Sequence, residues 1–368
     1  MNIASRIRQY GLSIVHEAPD ALVDIVFVHG LNGHPHRTWT SSRTGTFWPV
    51  DLLPDVLSTC RVRILSYGYN ANVTSFTDGA SKDRILNHSE TLAAGLAANR
   101  TINTCPERPI IFVCHSLGGL VVKRALIYSR SLTNEKVEHL RSIYVSTFGI
   151  LFLGTPHNGS EMAKWGSLLQ NICSAVLPKK FMDSSPQLIK ALKTNNETLQ
   201  NINSLFSDMV PRFHICFFHE TLPMDVKGTR ELIVDESSAA PQIDGVERMG
   251  IEADHSHMCK FDDETAPGYE AVAVALLRFA REAPATIHER WNEEGRTRMI
   301  IKTQKAREIF GEVSPSSASD RLGDRSGPRP SDGTTPQSSG GARSITVKQH
   351  EIEEPLDFVF DHGRTRFS

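Results

Sequence analysis

Short apolar runs alternate with amphipathic segments along residues 1–285. The runs at 25–29, 62–67, 110–114, 149–153, 213–218 and 250–253 are rich in β-branched and aromatic residues and predict strands. Apolar positions three and four apart predict helices over 49–57, 85–98, 117–129, 136–144, 161–177, 186–206 and 269–283. Strand–helix alternation of this kind predicts an α/β fold, a mostly parallel sheet with helices on both faces. The third, fourth and fifth runs are the most uniformly apolar and are expected at the centre of the sheet.

The alternation breaks over 161–210. Met162, Trp165, Leu169, Ile172 and Val176 recur at helical spacing and give one helix a wide apolar stripe. A helical cap or lid insertion is expected there. It would place Trp165 as a substrate-lining residue and a candidate contact with a membrane surface. Beyond Pro284 a charged helix is expected within 286–312. The remainder, 313–368, is dense in Ser, Pro, Gly and Asp and has too little apolar surface to offset chain entropy, so disorder is expected. Its run Leu356-Asp357-Phe358-Val359-Phe360 is a candidate protein-docking motif.

Composition narrows the class. The chain has 368 residues, 39% hydrophobic and 22% charged, with a formal net charge of -2. That suits a globular domain and gives no global field for nucleic acid. The N-terminus carries Arg6 and Arg8 without an apolar core, so no secretory leader is expected. The most apolar stretch, 109–128, is interrupted by His115, Ser116, Lys123 and Arg124 and is not a membrane span. Six cysteines without C-x-x-C spacing suggest a reduced compartment and neither a zinc site nor a disulfide framework. The expected location is cytoplasmic, with peripheral contact to a mitochondrial or endoplasmic-reticulum membrane as its extension. No phosphate-binding glycine motif occurs, and no metal or cofactor is expected.

The candidate chemistry lies in Ile111-Phe112-Val113-Cys114-His115-Ser116-Leu117-Gly118-Gly119. A buried strand, a tight turn with serine at its apex and an immediate helix form a nucleophile elbow. Cys114 stands where the first glycine of G-x-S-x-G would be, a small residue that packs as a hydrophobe. A serine hydroxyl needs a base to become a nucleophile. His255 follows the last predicted strand and is the candidate base, with His257 in reserve. Glu220 follows the strand at 213–218 and is the candidate acid; Asp235 and Glu231 are its competitors. Leu117 and Leu31 are the candidate oxyanion-hole residues, Leu31 lying in the loop assigned to the end of the third strand. His29 and His157 are candidate substrate-lining residues, or merely structural ones, and His34 and His36 are expected to be solvated.

Four motifs together resemble one family. Val28-His29-Gly30-Leu31, Cys114-His115-Ser116-Leu117-Gly118-Gly119, Leu153-Gly154-Thr155-Pro156-His157 and Asp254-His255-Ser256-His257-Met258-Cys259-Lys260-Phe261 resemble the lipase-like α/β-hydrolases that include the serine-active-site-containing proteins of lipid remodelling. Gly11-Leu12-Ser13-Ile14-Val15-His16 is similar to the fungal branch, in which the domain often precedes NACHT or repeat domains. The resemblance covers residues 10–283. It implies an α/β-hydrolase fold and a serine esterase or lipase acting on lipid or acyl esters. An acyltransferase using the same serine, and a non-enzymatic signalling module on this fold, are the alternatives.

Overall fold

The computed structural model describes residues 3–72, 84–157, 172, 201–226 and 229–310. Most of the expected cap, with Trp165, and all of 311–368 lie outside them.

Nine strands are present: β1 (Gly11–Glu17), β2 (Val23–Val28), β3 (Val62–Gly68), β4 (Ile110–His115), β5 (Thr147–Leu153), β6 (His214–Glu220), β7 (Met224–Val226), β8 (Thr229–Glu231) and β9 (Glu247–Ile251) among the described residues. Seven form one sheet in the order β1-β3-β2-β4-β5-β6-β9. Only β1, beside β3, runs antiparallel. β7 and β8 pair separately as a hairpin.

The central strands β2, β4 and β5 are buried at every position. Both faces of a helix-covered parallel sheet need apolar side chains, which is why these strands read as unbroken runs and not as alternations. Along β2 the faces are still separable. Val26 and Val28 join one core with α3 (Arg84–Ile102), α4 (Gly118–Ser131) and α5 (Glu138–Ser146). Val23, Ile25 and Phe27 join the other, with α1 (Trp48–Asp51), α2 (Leu53–Val56) and α7 (Tyr269–Phe310). A one-turn helix, α6 (Glu236–Ala239), follows β8.

Several expectations are corrected. The centre of the sheet includes β2, and β6 lies next to the edge, because strand order reverses between β2 and β4. β1 has no counterpart among the predicted strands: it is a half-exposed edge strand with a bulge between Ile14 and His16, which blurs its period. The loop of Leu31 therefore follows the second strand, not the third. The last strand begins earlier than expected, at Glu247, since an exposed edge tolerates the charged Glu247 and Arg248 that mask it in sequence. The helix expected at 49–57 is two short helices, each with proline in its first turn. The two helices expected at 269–283 and within 286–312 are one, continuous through Pro284. Beyond that proline Arg290 donates to the carbonyl of Thr147 at 2.7 Å, Trp291 Nε1 to Ser146 Oγ at 3.1 Å, and Arg141 pairs with Glu294 at 2.7 Å. Packing against α5 holds the element where a lone proline would end it.

The strand reversal between β2 and β4 opens a crevice at their carboxyl ends, the usual ligand position in such sheets. Gly30 and Ser116 come from the loops that border it.

Candidate active site

β4 is held on both sides, with Cys114 between Val28 and Phe152 in register. Cys114 is fully buried there, so the position two before the serine accepts a thiol without disturbing the ladder. The chain then reverses sharply. Ser116 adopts φ 53°, a left-handed conformation that costs an L-residue about 1–2 kcal/mol. Its N–H donates to Leu153 O at 2.9 Å, and its own carbonyl accepts from Gly119 N at 3.1 Å and Thr155 Oγ1 at 2.9 Å. Three bonds thus hold the strained turn.

Close approach explains the glycines around it. A Cβ on Gly118 would collide with the carbonyls of Val28 and His29, and one on Gly119 with the side chain of Thr155. A Cβ on Gly30 would lie 2.7 Å from Ser116 Cβ and 3.3 Å from Ser116 Oγ. The loop after β2 is therefore in contact with the serine.

Ser116, His255 and Glu220 meet in space. Ser116 Oγ lies 3.0 Å from His255 Nε2, and His255 Nδ1 lies 2.5 Å from Glu220 Oε2. All three are buried. Glu220 accepts from Nδ1–H, which leaves the Nε2 lone pair facing the hydroxyl, the tautomer a general base needs. The second carboxylate oxygen of Glu220 accepts backbone N–H bonds from Ile233 and Val234, the latter at 3.0 Å. The competitors are elsewhere. Asp235 caps α6 by accepting from Ser238 N, and Glu231 is exposed and bonded to Thr229. His257 is exposed and paired with Asp254 at 2.8 Å.

Leu117 directly follows the serine in the elbow, and Leu31 follows Gly30, whose backbone touches it. Neither backbone N–H has a hydrogen-bond acceptor among the described residues. Two free amides beside a nucleophile are what a developing oxyanion requires.

The remaining histidines take structural positions. His29 is fully buried, stacked on Tyr69 at 4.5 Å. It donates to Gly30 O at 3.0 Å and accepts from Tyr69 N at 3.4 Å, and burial lowers its pKa to about 4. It props the loop from beneath and does not line an open path. His157 is buried against Phe152 and Phe217, with Nδ1 2.7 Å from Lys123 Nζ. His34 and His36 are half-buried and not simply solvated: His34 Nδ1 accepts from His36 N, and His36 stacks on Phe47.

Two contributors carry no sequence signal of their own. His115 Nε2 donates to the carbonyl of His255 at 2.9 Å, and burial pushes its pKa down to about 3, so a neutral ring anchors the loop of the base. Thr155, buried, binds the serine's carbonyl as above. Among the described residues no cluster fit to hold a metal is found, and none of the five cysteines there is in a disulfide.

The family model described as "Alpha/beta hydrolase family" matches residues 25–324. The chain belongs to the alpha/beta hydrolase family. Among curated proteins it is 29% identical over 257 residues to Protein SERAC1 of Danio rerio, covering 64% of this chain and 36% of that protein. It is 26% identical over 282 residues to Protein SERAC1 of Homo sapiens, covering 71% and 39%. This alpha/beta hydrolase thus spans less than half the length of the curated relatives it matches. Among solved structures the Bacillus licheniformis lipase BlEst2 aligns at 16% identity with a TM-score of 0.44, over 71% of this chain and 94% of the lipase. No helix among the described residues is long and apolar enough to cross a membrane.

Proposed function

We propose that this hydrolase is a serine esterase or lipase that cleaves carboxylic esters through an acyl-enzyme on Ser116. The observation that carries the reading is the continuous chain of contacts from Ser116 Oγ through His255 to Glu220, at 3.0 and 2.5 Å. His255 takes the hydroxyl proton as Oγ bonds to the ester carbonyl carbon. The N–H groups of Leu31 and Leu117 receive the negative charge that develops on the carbonyl oxygen. Collapse of the intermediate breaks the C–O bond, and His255 returns the proton to the departing alcohol. Water, activated by the same imidazole, then releases the acid. Glu220 holds the ring and stabilises its charged form. The likeness of the four motifs to lipid-remodelling proteins supports lipid or other acyl esters as substrates, and the N-terminal motif supports kinship with the fungal branch.

The test is hydrolysis of short- and long-chain p-nitrophenyl esters, with fluorophosphonate labelling, by the wild-type protein and by Ser116→Ala. Labelling should vanish in the variant and turnover should fall by roughly five to six powers of ten. Equal rates in the two proteins would overturn the reading.

A further inference from the structure

A cleft of about 360 Å³ opens between the loop after β2 and the loop that carries His255. Leu31 and His115 line it on the side of the reaction centre: one follows the glycine that touches Ser116, the other precedes Ser116 in the chain. His34 and Arg37 line it from the loop after β2, and Ser256 and Lys260 from the loop that carries His255.

The charges of this cleft are one-sided. No carboxylate is among its lining residues. Neither Arg37 nor Lys260 forms an ion pair among the described residues. Three acids near Lys260 in sequence are committed to other partners, and of these Asp263 accepts from Thr265 N and Oγ1. Asp254 accepts from Ser256 N and from the backbone and ring of His257. Asp262 takes Arg43 at 2.7 Å and Ser41. His34 adds a donor, since its Nδ1 already accepts from His36 N at 3.1 Å and its Nε2 is left to carry the hydrogen. Two cations and an imidazole thus line one space with no carboxylate built into it. A cleft lined by one sign of charge concentrates ligands of the other, and an arginine guanidinium matches the oxygens of a carboxylate or phosphate in a way that water does not.

We propose that this cleft is a subsite for an anionic oxygen group, carboxylate or phosphate, carried on the same molecule as the scissile ester, with Arg37 and Lys260 as its specificity-determining residues. The inference rests on the hydrolase reading of Ser116 and adds to it a substrate class, acidic esters. The two cations sit on opposite loops of the reaction centre, so one anion bridging them would also orient the ester against the oxyanion amides.

The experiment compares p-nitrophenyl hexanoate with its isosteric anionic counterparts, the mono-p-nitrophenyl ester of adipic acid and the matching ω-phosphono ester. The anionic esters should be preferred by about tenfold or more in kcat/KM at low salt, and the preference should shrink as salt rises. Whichever anionic ester leads identifies the carboxylate or the phosphate as the better ligand. The ratio of anionic to neutral kcat/KM should fall about tenfold in Arg37→Ala and in Lys260→Ala, and invert in the double variant Arg37→Glu with Lys260→Glu. Thermal unfolding midpoints show that each variant is folded. A second measurement needs no turnover: calorimetric binding of monomethyl adipate and of methyl hexanoate to Ser116→Ala protein. Tighter binding of the anion, lost with Arg37 and Lys260, supports the subsite even if no ester is hydrolysed, an outcome that would fail the hydrolase reading alone. Equal handling of neutral and anionic esters in both measurements, or a preference that survives loss of both cations, overturns the proposal.

Discussion

Glu220 Oε2 stands 2.5 Å from His255 Nδ1, while the other oxygen of the same carboxylate accepts the backbone amides of Ile233 and Val234. The amides fix the carboxylate, and the carboxylate fixes the ring. In Glu220→Gln, Oε1 keeps the two amides, but the amide nitrogen facing His255 is a donor where an acceptor is needed. The imidazole must then turn its lone pair from Ser116. Turnover is expected to fall by roughly four powers of ten with little change in unfolding midpoint. Steady-state kinetics and thermal melts check both halves, and unchanged turnover would refute the role of Glu220.

Gly30→Ala probes the contact between two loops. The added Cβ would meet Ser116 Cβ at 2.7 Å and His115 O at 2.9 Å, both parts of the elbow and neither able to swing aside. Either the serine or the loop carrying Leu31 must shift by a fraction of an ångström to about 1 Å. A loss of about 100-fold in kcat/KM is expected, with the circular dichroism spectrum retained.

Asp24 anchors the opposite end of β2 from the site. It is fully buried and paired with Arg63 at 2.8 Å, Arg100 at 2.7 Å and Arg108 at 3.2 Å. Asp24→Asn would leave buried guanidinium groups without a counter-charge. Denaturant titration should show a loss of about 3–5 kcal/mol, with kcat/KM unchanged in the protein that remains folded.

Lys123 gives a dependence on pH. It is buried on α4, donates to Asn203 Oδ1 at 2.6 Å, and burial lowers its pKa to about 7 from the ordinary 10.5. Between those values the unfolded chain holds a proton that the folded chain has released. Unfolding therefore takes up a proton, and the contribution of Lys123 to stability rises with pH from about 7 towards 10.5. Lys123→Met should flatten that rise. Urea titrations of both proteins at about pH 7 and about pH 9.5 measure the difference in slope.

Much of the fold was legible because buried parallel strands need apolar residues at every position. The runs at 110–114 and 149–153 correspond to β4 and β5 almost residue for residue. β1 was not legible, since one bulge in an edge strand destroys the two-residue period. Pro284 was misleading: its local penalty predicts a break, while contacts of Arg290, Trp291 and Glu294 with distant elements outweigh it.

By itself the chain's order of residues determined the elbow. Strand, serine, small residues and helix are all local, and a left-handed turn between them needs no distant partner to be recognised. Glu220 and His255 also had their slots, after successive strands. The contact of Glu220, not Asp235 or Glu231, with His255, the place of His115 under the carbonyl of His255, and the position of Arg37 and Lys260 around one cleft were decided only by tertiary structure. Residues 35 to about 220 positions apart meet there because parallel strands deliver their carboxyl ends to one edge, and the reversal between β2 and β4 opens that edge.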